Sequence, residues 1–314
     1  MKFSIVIPLY NKASYIKETL QSLVEQTKLP YEIIIVDDKS TDNSLHIVKT
    51  FFKNLPLHLN KIKVKIIELD KNNGIGYTRN SGFLAATGDV VSFLDADDLY
   101  TDDLIKTANV LMSSYSIDLL ILGIQFFPSN EIYPKINKIK DELTQISSVI
   151  SVTSNAYCIN EPLKLITSAN FYMGVGSNVM LKRTQGRAIS FIEEPIIYEG
   201  IDYWYRVLRS VLTKGNSKVG LLMGAHLKVR EVFGSASRKR YNNWREIDYP
   251  PVLTRFKSST DYYDKRLKSV VATRWINHAL LSINSLSEKI IFILKYRGLF
   301  FKTLPYFLMH KLKK

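Results

Sequence analysis

Short apolar runs rich in β-branched residues stop, one after another, on the same kind of polar cluster. Lys2 to Leu9 runs into Tyr10-Asn11, Tyr31 to Val36 into Asp37-Asp38, and the run opening at Asp89 into Asp95-Ala96-Asp97-Asp98. Runs of this length, bounded by turn residues, read as buried strands. Between them apolar residues recur at helical spacing: Ile16, Leu20, Leu23 and Val24, where Ser14 can cap; then Leu45, Val48, Phe51 and Phe52; then Ile75 to Ala86, closed by Thr87-Gly88. Lys63 to Leu69 alternates in part and reads as a strand nearer an edge. Leu104 to Met112 adds a helix, Asp118 to Ile124 a strand and, further on, Asn178 to Leu181 another strand. Strand and helix alternating at this pitch imply right-handed βαβ units, hence an α/β fold with a mostly parallel, Rossmann-like sheet flanked by helices. In such a sheet the carboxyl ends of the strands share one crevice, where ligands settle.

Asp95, Asp97 and Asp98 crowd negative charge at one of those ends. Carboxylates this close raise one another's pKa unless a cation sits between them. A hard divalent ion, Mg²⁺ or Mn²⁺, shared with substrate phosphates meets that need; the plainer alternative is an acidic turn that caps the helix starting near Thr101. No Gly-x-Gly-x-x-Gly follows the first strand and no Gly-x-x-x-x-Gly-Lys-Ser/Thr occurs, which excludes the phosphate cradles of dinucleotide dehydrogenases and P-loop enzymes. The net charge of +14 favours an anionic partner. No nucleic-acid motif accompanies it, and the basic excess sits largely in the tail, so nucleic acid is not expected as a partner.

Four linked segments then resemble family 2 glycosyltransferases in order and spacing: Ser4 to Asn11, Ile35 to Asp42, Asn73-Gly74 through Arg79-Asn80-Ser81-Gly82, and Gly88-Asp89 through Asp98. The resemblance covers residues 1–125 and continues more weakly to about 240. It implies a GT-A fold and a nucleotide-diphosphate sugar donor, UDP-linked, with inversion at the transferred sugar. Carried onto this chain, it implies that Pro8, Tyr10 and Asn11 hold the nucleoside and that Asp38 accepts from the base N–H. Arg79 is then near the base or diphosphate, Asp95 at the ribose or sugar, and Asp97 on the metal with Asp98 in support. The chemistry agrees, because a carboxylate suits the uracil N–H and a cation suits a departing diphosphate. Singly, Tyr10 could cover the sheet end, Asp38 could cap the next helix, and Arg79 could be a solvated helix residue.

The run Glu199-Gly200-Ile201-Asp202 through Arg206 resembles the family's acceptor-base segment, but the usual Glu-Asp pair is Glu199-Gly200. The base role falls to Glu199 or Asp202. Asp202 can alternatively pair with Arg206 at i,i+4 on a helix surface. Val229 to Ser237 resembles the segment after the last sheet strand, with Val232 in place of the usual His. Arg230, Arg238, Lys239 and Arg240 could neutralise diphosphate there, or form a solvated basic loop. Gln125 to about Ile166 reads as surface loops and short helices.

This divides the chain into a catalytic domain over 1–250, its donor half 1–125 and acceptor half 126–250, and a basic, apolar C-terminal helical extension over 251–314. Val270 to Leu286 reads as a helix with Val271, Trp275, Ala279, Leu280 and Ile283 inward, and no acid follows Glu288. Apolar, aromatic and basic residues without acids suit an anionic membrane surface; a helical pair packed on the domain with snorkelling lysines is the alternative. The single Cys158 fits a reducing compartment, Met1 to Pro8 does not read as a signal peptide, and no apolar run reaches about 20 residues; with the basic, apolar tail, the expectation is a cytoplasmic protein, peripheral on the inner face of the membrane. The function that follows is sugar transfer to a glycan or lipid-linked acceptor at the cell surface; a non-catalytic nucleotide-sugar-binding or scaffold protein of the same fold is the alternative.

Overall fold

A computed structural model describes residues 1–151, 153–168, 171, 176–194, 196–232 and 239–303. It contains β1 (Phe3–Leu9), α1 (Ile16–Val24), β2 (Glu32–Asp37), α2 (Ser44–Lys53), β3 (Lys63–Glu68), α3 (Ile75–Ala85), β4 (Val90–Phe93), β5 (Leu99–Tyr100), α4 (Leu104–Ser114) and β6 (Ile117–Phe127). Next come β7 (Ile132–Tyr133), α5 (Ile136–Ile146), β8 (Ser147–Ser151), β9 (Ala156–Ile159), α6 (Pro162–Ile166), β10 (Val179–Lys182), α7 (Arg183–Gly186), α8 (Glu199–Leu212) and β11 (Lys218–Arg230). The described chain closes with α9 (Pro251–Arg255), α10 (Tyr262–Ser282) and α11 (Leu286–Lys295). Two compact units result: Met1–Leu165 with Asn170–Pro195 and Gly200–Glu231, and Ile166–Ala169 with Ile196–Glu199 and Val232–Lys314.

The first unit is the α/β body expected from the strand and helix pitch. One sheet runs β3-β2-β1-β4-β10-β6-β11-β9-β8. Its first four strands are parallel. β1 and β2 are buried along their whole length, as strands covered on both faces must be. β3 lies at the edge with mostly exposed or half-exposed residues, as its alternation implies. α1 buries Ile16, Thr19, Leu20, Leu23 and Val24 on one stripe. α3 comes so close to the sheet that a Cβ on Gly82 would lie 2.2 Å from Val6 Cγ1 and 3.3 Å from Val36 Cγ2.

Two features escaped the strand pattern. The strand expected over Asn178 to Leu181 is β10, but it inserts antiparallel between β4 and β6, so the sheet is mixed at its centre. The stretch read as loops and short helices instead holds α5 and the hairpin β8–β9, which extends the sheet beyond β11. Those strands are short and flanked by polar residues, and only pairing with β11 makes them strands.

The second unit is helical. Asp261 caps α10 by accepting from Tyr263 N (2.8 Å) and Asp264 N (3.0 Å). The helix therefore starts earlier than Val270, and Val271, Trp275 and Ala279 are buried on it, with Ile283 buried just beyond. Trp275 Nε1 donates to Asp248 O at 2.8 Å, and its ring meets Tyr249, Phe292 and Tyr296 at centroid distances of 5.1, 5.1 and 4.7 Å. No helix among the described residues is long and apolar enough to cross a membrane. Ser235, Ser237, Arg238 and the run from Pro305 to Met309 lie outside the described residues.

Candidate active site

The crevice opens where β4 stops short of its neighbour. β4 pairs with β1 only from Phe3↔Val90 to Val6↔Phe93, while β1 continues beside β2 to Leu9↔Asp37. On β1 the even-numbered residues face β4, as Val6 O accepting from Leu94 N shows. Pro8 thus turns its missing donor toward the side where β4 has ended, a place in a central strand that tolerates proline. The resulting cleft holds about 450 Å³. Pro8, Tyr10 and Lys12 line it from the end of β1, Asp38 from β2, Gly74 and Thr78 from α3 and its preceding turn, and Asp95 and Asp97 from the end of β4.

Each wall is held by its own side chains. Buried Asp38 accepts from Asn73 N at 2.7 Å and from Gly74 N at 2.8 Å. It thereby fixes the turn that starts α3, where Gly74 has φ +87°, a left-handed conformation open to glycine. Asn11 (φ +51°) points its side chain at the neighbouring loop: Oδ1 accepts from Thr41 N at 2.8 Å and Nδ2 donates to Thr41 Oγ1 at 3.1 Å. Asn11 does not line the cleft; it ties the loop after β1 to the loop after β2. Tyr10 beside it is 43 % exposed and open to stack on a ligand.

The acidic turn after β4 is braced from behind. Arg79 is buried, at 2 % exposure, and its Nη2 donates to Asp95 Oδ1 at 2.9 Å. Its guanidinium carbon lies 5.2 Å from the centre of the Phe191 ring. Arg79 therefore reaches the cleft through Asp95. Thr19 Oγ1 donates to Ala96 O at 3.0 Å, and Asp95 N donates to Ser177 Oγ at 3.1 Å. Arg230 holds the far side: its N donates to Asp98 Oδ1 at 3.0 Å and its Nε to Asp97 O at 3.1 Å. The Arg230 guanidinium pairs with Glu18 at 2.5 Å and lies against the rings of Tyr15 and Phe127. Burial, then the negative charges of Asp95 and Asp97, push the Asp98 carboxyl well above the ordinary carboxylate range; the Arg230 and Ser177 hydrogen bonds oppose this without cancelling it.

Asp97 is the carboxylate of the turn that meets a cation inside the cleft. Its Oδ2 lies 2.5 Å from Lys12 Nζ. Among the described residues no group of three or more His, Cys, Asp or Glu side chains forms a metal cage. The donor set nevertheless fits a hard divalent ion, which takes one or two carboxylates and completes its shell with phosphate oxygens and water.

The two candidate bases sit on α8. Asp202 is fully buried; its Oδ2 accepts from Arg206 Nε at 2.8 Å, the i,i+4 arrangement, and Arg206 Nη2 donates to Ser190 O at 2.8 Å. Asp202 does not line the cleft described above. Glu199 is the first residue of the helix and belongs to the helical unit. In that unit Arg240 donates to Leu281 O, and Lys239 lies over the Tyr241 ring at 5.1 Å.

Residues 4–184, more than half of the chain, match the sequence profile of Glycosyl transferase family 2. The chain belongs to this family. Among its family 2 relatives, the poly(ribitol-phosphate) beta-N-acetylglucosaminyltransferase TarS of Staphylococcus aureus is 36 % identical over 125 residues, 39 % of this chain and 21 % of that protein. The poly(ribitol-phosphate) beta-glucosyltransferase of Bacillus spizizenii is 46 % identical over 101 residues, 31 % of this chain and 15 % of that protein. The match thus spans about a fifth or less of the length of these relatives. In fold, the chain is similar to S. aureus TarS 1–349 in complex with UDP-GlcNAc, with a TM-score of 0.60 at 20 % identity over 92 % of this chain and 69 % of that one. It is also similar to the mannosyltransferase PcManGT of Pyrobaculum calidifontis in complex with GDP-Man and Mn²⁺, with a TM-score of 0.56 at 15 % identity over 96 % of this chain and 83 % of that one. The fold is the GT-A fold that these structures share.

Lys12 was missed by sequence reasoning. Its only signal was a basic residue in one strand-end loop when the neighbouring loops at the same sheet mouth were acidic. Ser177 gave no signal, because it meets Asp95 across 82 positions of chain.

Proposed function

We propose that the protein transfers a sugar from a nucleotide-diphosphate sugar, UDP-linked, to a glycan or lipid-linked acceptor at the cell surface, with inversion and with a divalent metal, Mg²⁺ or Mn²⁺. The observation that carries this reading is the meeting of Asp38, Asp95 and Asp97 in one cleft at the carboxyl ends of β2 and β4. UDP-GlcNAc and UDP in the S. aureus TarS structures, and Mn²⁺ in the P. calidifontis one, support the donor and metal classes. In this reading the catalytic domain covers 1–250, with the donor on residues 1–125 and the acceptor on 126–250. The extension over 251–314 rests on an anionic membrane surface at the cytoplasmic face.

Pro8 and Tyr10 present an apolar wall and a ring to the base. Asp38 spends one lone pair on each backbone N–H it accepts, and a carboxylate oxygen has a second for the base N–H. Asn11 keeps the loop carrying Tyr10 in place. Asp95, aimed by Arg79, takes a hydroxyl of the ribose or sugar. Asp97 would hold the metal, with Asp98 and Arg230 fixing the turn beneath it. When bound, the ion would supply electrophilic stabilisation of the leaving diphosphate. The acceptor hydroxyl gives its proton to Glu199 or Asp202 and its oxygen attacks the anomeric carbon; the bond to the diphosphate oxygen breaks and the electron pair leaves with the diphosphate.

The test is a thermal-shift screen of nucleotide sugars with Mn²⁺, followed by a transfer assay on the donor that binds. A donor at a hundred times its Kd should stabilise the fold by about 2.7 kcal/mol. Asp97→Ala should keep the fold and lose transfer. Full activity of that variant, or of the wild type in excess chelator, would overturn the metal role. The closed Asp202–Arg206 pair favours a second reading, a non-catalytic nucleotide-sugar-binding protein; donor binding without transfer or hydrolysis would identify it.

A further inference from the structure

The helical unit has a hollow of about 730 Å³ whose wall carries Lys257, Lys268, Lys295 and Lys302 and no acidic residue. Lys268 is engaged, with Nζ 3.3 Å from both Phe256 O and Lys257 O. Among the described residues, Lys257, Lys295 and Lys302 have no ion pair. Residues 289–314 contain no Asp or Glu. Three ammonium groups facing one concavity repel one another and call for an anion from outside the chain. Tyr249 and Tyr296, with ring centroids 5.8 Å apart and stacked, form part of the same wall. The hollow is thus wide enough for a phosphate head group and partly apolar.

A second observation narrows the anion. Leu286, Ile290 and Leu294 on α11 are 73 %, 50 % and 64 % exposed. Their spacing of four puts them on one helix face, and Lys295 of the hollow belongs to the same helix. An apolar stripe left to solvent beside unneutralised lysines matches an amphiphile better than a soluble ion.

We propose that this hollow binds the phosphate of an anionic phospholipid while the Leu286–Ile290–Leu294 stripe lies in the bilayer interface. The proposal rests on the membrane reading of the extension and adds a specific head-group site to it. A phosphate ester accepts hydrogen bonds from lysine ammonium groups, and lysines near an anionic leaflet each strengthen attachment.

The test is co-sedimentation of the whole protein with phosphatidylcholine vesicles, with and without phosphatidylglycerol. Three variants are compared: Lys257→Gln/Lys295→Gln/Lys302→Gln in the hollow, Leu286→Ser/Ile290→Ser/Leu294→Ser on the stripe, and Lys53→Gln/Lys61→Gln/Lys65→Gln as a charge-matched control. Thermal melts confirm that each is folded. The hollow variant should lose preference for phosphatidylglycerol by about tenfold or more, and the control by no more than about threefold. The stripe variant should lose binding to both vesicle types. Equal losses in the hollow and control variants would overturn the head-group site and leave the membrane reading standing. Failure of the wild type to bind either vesicle would overturn both. Retention on a soluble phosphate polymer that phosphatidylglycerol vesicles cannot displace would assign the hollow to a polymer instead.

Discussion

Replacing Lys12 with Met should make metal binding in the donor-free protein about ten times tighter. Lys12 Nζ lies 2.5 Å from Asp97 Oδ2, with the two side chains 30 % and 15 % exposed. Any divalent ion that takes Asp97 must first displace this ammonium. Two unit charges roughly 4 Å apart attract by about 4 kcal/mol at an effective dielectric near 20. Lys12 regains water and salt screening when released, which returns most of that energy and leaves about 1–1.5 kcal/mol, or about tenfold in affinity. Met keeps the length and the apolar stem and removes only the charge. The measurement is Mn²⁺ titration by calorimetry or by the free-ion paramagnetic signal, without nucleotide, on the wild type, Lys12→Met and Asp97→Asn. UDP affinity in chelator should move the opposite way, because the freed ammonium is then missing as a partner for the diphosphate. Unchanged Mn²⁺ affinity in Lys12→Met would falsify the competition, and unchanged affinity in Asp97→Asn would remove Asp97 from the metal altogether.

Glu32 supplies a pH prediction. Burial pushes its carboxyl up, but hydrogen bonds from Ser4, Thr87 and Gly88 outweigh burial and hold it below the ordinary value of 4.5. A depressed folded pKa gives stability that is complete above the unfolded pKa and is lost as pH falls through the folded one. Glu32→Gln should therefore cost about 1–3 kcal/mol at neutral pH, and the gap to wild type in urea melts should narrow below about pH 4.5; a gap constant with pH would sink this account. Gly82→Ala should destabilise by about 1–3 kcal/mol, because its Cβ would lie 2.2 Å from Val6 Cγ1 in the sheet; an unchanged Tm would show that α3 can back away. Of Glu199→Gln and Asp202→Asn, the one that removes the base should lower kcat by about 10²–10⁴-fold with little change in UDP affinity. If instead Asp202 only pairs with Arg206, Asp202→Asn should lower Tm and leave kcat within a few-fold.

Much of the molecule was legible before any coordinates. The alternation of β-branched apolar runs with helical stripes gave β1 to β4 and α1 to α4 nearly residue for residue, because burial on both sheet faces leaves a local signature. Pro8, Asp38, Asp95 and Asp97 were legible as strand-end residues for the same reason, and the structure lines one cleft with them. The hairpin β8–β9 was not, since short polar-flanked strands become strands only through partners distant in sequence; β10 was legible as a strand from its apolar run, but its antiparallel place between β4 and β6 was not, since pairing direction is set by distant partners.

Sequence alone determined the class of fold, the succession of its first strands and helices along the chain and the family, because each depends on local periodicity and on motifs a few residues long. Tertiary structure decided what the charged groups do. Arg79 could have been a solvated helix residue, yet packing buries it against Phe191 and turns it onto Asp95. Lys12 and Asp97 are separated by 85 positions and meet only because the loops that follow the neighbouring strands β1 and β4 come together. Local pattern reports whether a residue is buried; which charge stands opposite it is fixed by how distant strands stack, and that sets the electrostatics of the cleft.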